Sequence, residues 1–205
     1  MKSEITIIDY DSGNLRSAAK AFEHVGAKVT VTRDPKVIEK AEKLVLPGQG
    51  SFGHCMESLE KYGLVDVIKD YLAQDKFFLG ICVGQQLLFE ESEESPGVAG
   101  LSVFTGKVKA FQSQDDLKVP HMGWNSIQLQ ADGSELFKGV SEDSDFYFVH
   151  SYYVEPADAS IIVATTNYGH SFCSAVQKGN VFACQFHPEK SQANGLKMVE
   201  NFYTV

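Results

Sequence analysis

Five residues near the middle of the chain, Gly80-Ile81-Cys82-Val83-Gly84, set a thiol between two glycines. An apolar run from Phe77 to Ile81 leads into them, and a helical pattern from Gln85 to Phe89 follows. Strand, sharp turn and helix in that order are the sequence form of a nucleophile elbow, here with cysteine as nucleophile. The turn forces Cys82 toward a strained backbone and lifts its sulfur clear of the sheet. Gly80 and Gly84 remove side chains where strand and helix approach closely. The helix N-terminus supplies partial positive charge, which favours thiolate over thiol. Its free N–H groups can also hold an oxyanion during attack on a carbonyl. A glycine-rich turn around a buried thiol has the same pattern, so the elbow needs a base before it means catalysis.

Six histidines are available: His24, His54, His121, His150, His170 and His187. His24 has charged helical neighbours, and His54 and His170 fall in or beside loops. His187 differs, because it ends a strand and is followed by Pro188-Glu189. Proline stops sheet pairing and holds the preceding residue extended. In an extended segment residues two apart point the same way, so His187 and Glu189 can face one cleft. A glutamate there fixes the imidazole tautomer and stabilises its protonated form. Cys82 and His187 both stand at carboxyl ends of strands, the edge where open α/β sheets bind ligands.

The elements that must position these groups are legible along the chain. A strand at Ile5–Asp9 is followed by a turn at Asp11-Ser12-Gly13. A helix from Asn14 ends at Gly26, and a short strand covers Lys28–Thr32. A helix spans Pro35–Ala41, and Leu44-Val45-Leu46 is a buried strand ended by Pro47-Gly48. Helices at His54–Tyr62 and Leu64–Ala73 precede the strand that carries the elbow. This β-α-β-α order predicts a parallel sheet covered by helices on both sides. The second half reads as successive strands with short connections: Lys107–Phe111, Asn125–Gln130, Phe146–Tyr152, Ile161–Thr166, Phe172–Gln177 and Val181–Phe186. A hairpin signal lies at Gln177-Lys178-Gly179-Asn180, and a last helix spans Gln192–Phe202. The expected fold is one α/β domain over residues 1–205. It has an open, mainly parallel central sheet flanked by helices and an additional antiparallel region in the C-terminal half.

Bulk properties narrow the function classes. The 205 residues carry a formal net charge of -9, with no Lys/Arg cluster. That excludes nucleic acid and anionic membranes as expected partners. The N-terminus lacks a signal-peptide pattern, and no apolar run is long enough to span a bilayer. The expected location is therefore cytoplasmic. Cys55, Cys82, Cys173 and Cys184 show no CxxC spacing. They point to neither a zinc site nor a redox motif, and structural disulfides are not expected in a reducing compartment.

Together the motifs resemble those of the triad (class I) glutamine amidotransferases, over essentially the whole chain. Gly80–Gln86 is similar to the family's nucleophile motif, Gln185-Phe186-His187-Pro188-Glu189 to its His/Glu motif, and Pro47–Gly53 to its glycine loop. Asp9–Ser17, Val119–Asn125, Tyr147–Tyr153 and Lys190-Ser191 resemble the subfamily formed by the glutaminase subunits of imidazole glycerol phosphate synthase. Asp11, Gln49 and Gln85 depart from the usual pattern, and none of these removes a triad group.

The resemblance implies a Cys82–His187–Glu189 triad that hydrolyses glutamine to glutamate and ammonia. It implies an oxyanion hole from the backbone of Val83 and Gly50. Gln86, Glu94, Ser151 and Tyr152 would bind substrate: Gln86 from the start of the helix, Glu94 at the substrate's ammonium, Ser151 and Tyr152 through backbone groups. Glu90, Glu91, Glu93 and Glu94 crowd the expected helix C-terminus, and most of them read as a solvated acidic turn. No metal and no cofactor enter the reading. Ammonia released into neutral water becomes mostly ammonium, which is no nucleophile, so a second active site must receive it directly. The resemblance names the recipient as a (β/α)8-barrel cyclase in a heterodimer. That partner converts PRFAR to imidazole glycerol phosphate and AICAR in histidine biosynthesis. Asn14, Arg16, His121, Trp124, Asn125 and Lys190 are the interface candidates, although Trp124 is equally at home in a core. Two alternatives stand beside this. Glutaminases of pyridoxal phosphate or purine synthesis share the triad motifs but are not expected to carry Pro120–Asn125. A non-catalytic redox sensor would use Cys82 as an exposed thiol, leaving Gln86, His187 and Glu189 without a purpose.

Overall fold

The computed structural model describes residues 4–11, 14–112, 117–130 and 134–205. Of the turn expected at Asp11-Ser12-Gly13, only Asp11 lies within them. The first half alternates β1 (Glu4–Ile8), α1 (Leu15–His24), β2 (Lys28–Thr32), α2 (Pro35–Glu39), β3 (Lys43–Gly48), α3 (Phe52–Lys61), α4 (Val65–Ala73), β4 (Phe77–Cys82) and α5 (Val83–Gln86). The second half continues through β5 (Glu91–Ser92), β6 (Gly106–Ala110), β7 (His121–Ser126), β8 (Gln128–Leu129), β9 (Asp145–His150) and β10 (Tyr152–Pro156). It ends with β11 (Ile162–Tyr168), β12 (His170–Lys178), β13 (Val181–Cys184) and α6 (Gln192–Thr204).

The main sheet runs β2-β1-β3-β4-β13-β12-β10-β6-β5, with β11 pairing β12 and β8. From β2 to β13 the strands are parallel. Pairing turns antiparallel between β13 and β12 and stays so through β10 and β6. A separate two-stranded sheet joins β7 and β9. Successive residues of a strand point to opposite faces. Leu44, Val45 and Leu46 are all fully buried, as are Phe78 and Leu79, so both faces of the sheet centre are covered. That is why these strands read as unbroken apolar runs. Lys43 is the exception in β3. Its buried ammonium donates to the carbonyls of Phe202 and Tyr203, at 2.9 Å each, and so caps the end of α6. Burial lowers its pKa.

Several expectations are corrected. Ser51 accepts a hydrogen bond from the His54 amide and starts α3 at Phe52, ahead of the expected His54. Helix α2 stops at Glu39, not Ala41, and α6 continues past Phe202 to Thr204. The run Asn125–Gln130 is two strands in different sheets, β7 pairing β9 and β8 pairing β11. Phe146–Tyr152 also divides, because the chain leaves the small sheet after His150 and enters the large one at Tyr152. The largest correction follows the elbow, where the helix is four residues long and does not reach Phe89. The Leu88 and Phe89 amides bond three residues back, to the Gln85 and Gln86 carbonyls, which closes turns in place of a helix, and the carbonyls of Leu87, Leu88 and Phe89 accept from the amides of Leu101, Val103 and Ser102. The acidic stretch therefore does not crowd a helix end. Glu91-Ser92 forms β5, while Glu90, Glu93 and Glu94 each accept a backbone N–H, from Gly106, Ala110 and Phe52 respectively.

Candidate active site

The elbow forms where β4 passes into α5. Cys82 adopts φ 56, ψ -112, a left-handed conformation that costs a non-glycine residue about 1–3 kcal/mol. The surroundings impose it through backbone packing. A Cβ on Gly84 would lie 2.0 Å from the Leu46 carbonyl oxygen, and one on Gly80 would lie 2.7 Å from that of Gly84. Strands β3 and β4 thus grip α5 main chain to main chain, and glycine is the residue that fits. The end of β3, where the loop begins, meets the same point, since Gly48 abuts Val83 and Gly84. Cys55 on α3 donates to the Gln49 carbonyl at 3.7 Å and ties that loop from the other side.

Strand β13 lies parallel to β4, with Cys184 opposite Ile81, so the segment leaving β13 emerges beside the elbow. This pairing closes the long sequence gap between Cys82 and His187. The His187 amide donates to the Tyr147 carbonyl at 2.9 Å, and Ser191 Oγ donates to the His187 carbonyl at 2.6 Å. His187 Nδ1 lies 2.8 Å from Glu189 Oε1, with both side chains buried. The expected pair is present, but Pro188–Lys190 forms a 3-10 turn. Glu189 therefore reaches the ring by a turn, not along an extended segment. The carboxylate is acceptor-only, which fixes a proton on Nδ1 and leaves Nε2 as the nitrogen that can gain and give up a second one. Nε2 has no hydrogen-bond partner among the described residues. Burial would lower the basicity of His187, but the neighbouring Cys82 sulfur and Glu189 outweigh it and raise the pKa above the ordinary histidine value. Cys184 and Cys173 are not competing nucleophiles. Burial, Glu189 and Cys82 hold the Cys184 thiol well above the usual range, and burial raises Cys173 likewise.

Cys82 and His187 open into a cleft of about 270 Å³, just below the roughly 300–1,000 Å³ usual for ligand sites. Gly50, Val83, Gln86, Glu94, Ser151 and Tyr152 line it, which brings together the expected oxyanion and substrate groups. Glu189 stands behind His187, outside the lining. Gln86 sits at the end of the short helix and does not start one. Its amide donates to the Tyr152 carbonyl and to Gln185 Oε1, both at 3.0 Å. One oxygen of Glu94 accepts the Phe52 amide at 2.7 Å, which fixes its carboxylate at the cleft.

Sequence reasoning missed a polar chain on the cleft wall. His150 Nδ1 lies 2.8 Å from the Tyr152 carbonyl, His150 Nε2 lies 2.9 Å from His121 Nδ1, and His121 Nε2 lies 3.2 Å from Asn125 Nδ2. Asn125 also donates to the Asn167 carbonyl at 3.0 Å. Backbone acceptors at both ends set every polarity between them. His150 donates to Tyr152, His121 donates to His150, Asn125 donates to His121, and both rings are neutral. Burial drives them the same way, lowering His121 to about 4 and His150 to about 3. His121 is 3% exposed and stacks against Phe148 and Tyr168, so it is withdrawn as an interface residue. Only the β7–β9 register, which sets His121 opposite His150, reveals the pair.

The other interface candidates divide. Trp124 is 47% exposed, ruling out the core alternative, and stands with exposed Met122 and Val119. Its ring meets Tyr147 edge-on, and Lys190 Nζ lies 5.9 Å from the Tyr147 ring. Arg16 is exposed and Asn14 half-buried, on a helix that packs beside the 188–190 turn. Asn125 is half-buried and engaged in the polar chain.

Comparison with known proteins decides the family. The sequence profile of class-I glutamine amidotransferases matches residues 6–205. The chain belongs to that family. Among curated amidotransferase relatives, imidazole glycerol phosphate synthase subunit HisH of Acinetobacter baylyi is 50% identical over 200 residues, covering 98% of this chain and 97% of that protein. HisH of Syntrophotalea carbinolica is 51% identical over 203 residues, covering 97% and 98%. The fold is shared with PurLQS from Thermotoga maritima at TM-score 0.75 and 19% identity, over 98% of each chain. It is also shared with the glutaminase domain of Trypanosoma brucei CTPS, at TM-score 0.70 and 16% identity over 98% and 93%.

Proposed function

We propose that this amidotransferase is the glutaminase subunit of an imidazole glycerol phosphate synthase. The observation that carries the reading is one small cleft joining Cys82 to the His187–Glu189 pair. It lies in a chain half identical, over almost its full length, to proteins named as that subunit. The Cys82 thiolate attacks the side-chain amide carbon of glutamine, and the oxyanion is held by backbone amides of Val83 and Gly50. Protonated His187 gives its Nε2 proton to the nitrogen, ammonia leaves and a thioester remains. Neutral Nε2 then takes a proton from water, whose oxygen attacks the thioester, and glutamate departs as the Cys82 thiolate and protonated His187 are restored. Glu189 holds the ring and balances its charge throughout. Gln86, Glu94 and the Ser151-Tyr152 backbone bind the amino-acid end, with Glu94 on the ammonium.

The receiving partner is a (β/α)8-barrel cyclase. It docks over the exposed Met122–Trp124 edge beside the cleft, with Asn14, Arg16 and Lys190 at its margin. Residues 1–205 act as a single domain. Four free thiols fit a cytoplasmic setting. The test is glutamate release from glutamine, with and without the cyclase. The wild-type chain releases glutamate, and more when the cyclase is present. Folded Cys82→Ala releases none, and persistent release from it refutes the assignment.

A further inference from the structure

One polar group at the elbow has no part in the triad. Gln185 is completely buried on the segment between β13 and His187, and its Nε2 lies 3.7 Å from Cys82 Sγ. We propose that Gln185 is a further catalytic residue, whose side-chain amide donates to the Cys82 sulfur and favours its thiolate form.

The orientation of the amide follows from its neighbours. Gln86 donates through Nε2 to the Tyr152 carbonyl, which accepts only. The same nitrogen donates to Gln185 Oε1 at 3.0 Å, so the oxygen of Gln185 faces Gln86 and its NH2 group faces the sulfur. The Tyr152 carbonyl is itself fixed by the His150 donor. Nor is the Gln185 backbone free to turn away, because its amide donates to the Ser174 carbonyl at 2.8 Å. A buried amide is costly unless both ends are bonded, and an apolar side chain of the same length would fill this space without that cost. What the amide adds is a donor aimed at the sulfur, and an anionic acceptor strengthens such a bond well beyond a neutral thiol. Gln185 therefore stabilises the charged form selectively.

The titratable groups facing the sulfur are His187, backed by Glu189, Cys184 on β13 and Glu94 across the cleft. The ionisation of Cys82 thus belongs to a coupled set, and the observable is an apparent midpoint. The assignment rests on Cys82 being the nucleophile. It is tested without glutamine turnover, so the two readings can fail separately. The full chain is alkylated with iodoacetamide across pH, with attachment at Cys82 followed by mass spectrometry. In Gln185→Met, which keeps length and loses the donor, the midpoint should rise by about one pH unit relative to wild type. An unchanged midpoint in folded Gln185→Met overturns the proposal. A second measurement needs no change at 185. In wild type the Gln185 side-chain amide proton resonance should shift with pH through the alkylation midpoint, and in Cys82→Ala that shift should vanish. A resonance indifferent to pH through the wild-type midpoint also overturns it.

Discussion

Acidification from pH 6.5 to 5.0 should destabilise the protein through the His121–His150 pair. In the unfolded chain each ring titrates near the ordinary histidine value of about 6.5. In the fold, burial holds His121 at about 4 and His150 at about 3. The unfolded state therefore binds more protons across this window, and stability falls as pH falls. Linkage gives a loss of about 1.6 kcal/mol for each ring between these two pH values, or about 3 kcal/mol together. The sum barely depends on how far below 5 either folded value lies, because both rings stay neutral in the fold at pH 5. His187 acts in the opposite sense. Its folded pKa is raised, so its contribution is fully present below the unfolded value and is lost as pH rises. Between pH 6.5 and 5.0 it adds back only about 0.4 kcal/mol. Glu4, Asp11 and Asp158 have lowered pKa values, and their stabilisation is lost only as pH falls below the ordinary carboxylate range. The assay is urea unfolding followed by far-ultraviolet circular dichroism at constant ionic strength. With a slope of about 2 kcal/mol per molar urea, the midpoint should fall by about 1.3 M. A fall smaller than about 0.3 M would refute the neutral, mutually bonded assignment of the two rings.

The other outcomes concern the cleft directly. Glu94→Gln removes the charge proposed to hold the substrate ammonium and should raise KM for glutamine about 10- to 100-fold, with little change in kcat or in unfolding midpoint. Steady-state kinetics with an unchanged KM would remove Glu94 from the binding site. In Gly84→Ala the new methyl would sit 2.0 Å from the Leu46 carbonyl oxygen, which no rotamer relieves. Stability should fall by about 3 kcal/mol. The displaced elbow should lose about 100-fold in kcat. A Gly84→Ala protein with wild-type kcat and unfolding midpoint would show that the strand–helix contact tolerates movement.

The groups of the proposed triad were legible because their signals are local. Gly80–Gly84 encodes a turn that only small residues permit, and His187-Pro188-Glu189 encodes the end of a strand with its own carboxylate. What the sequence leaves open is decided by contacts between distant segments. The helical spacing of Gln85–Phe89 is genuine, but the Leu88 and Phe89 amides close turns three residues back, and the amides of Leu101–Val103 pair this segment with a distant one. Ser151-Tyr152 reads as the end of one strand. The chain in fact changes sheets there, which leaves Tyr152 with a carbonyl that serves Gln86 and His150. Gln185 stood inside a recognised motif without a role. Strand alternation places it on the same side as His187, and that was the one available signal.

The interface candidates show the same limit in a different form. His121, Trp124 and Asn125 were all expected to face a partner, yet β7 is a strand, and a strand divides its side chains between two faces. Met122 and Trp124 point outward and are exposed, whereas His121 and Asn125 carry the polar chain leading inward to the Tyr152 carbonyl. The small sheet thus stands between the exposed apolar edge and the cleft, contributing to each. This arrangement explains why two buried neutral histidines are held in a wall that an apolar pair could fill. The wall must present a fixed backbone acceptor to Gln86, and hence a fixed amide to Gln185 and the sulfur. An apolar pair would leave the Tyr152 carbonyl with one donor fewer and would no longer hold it from behind.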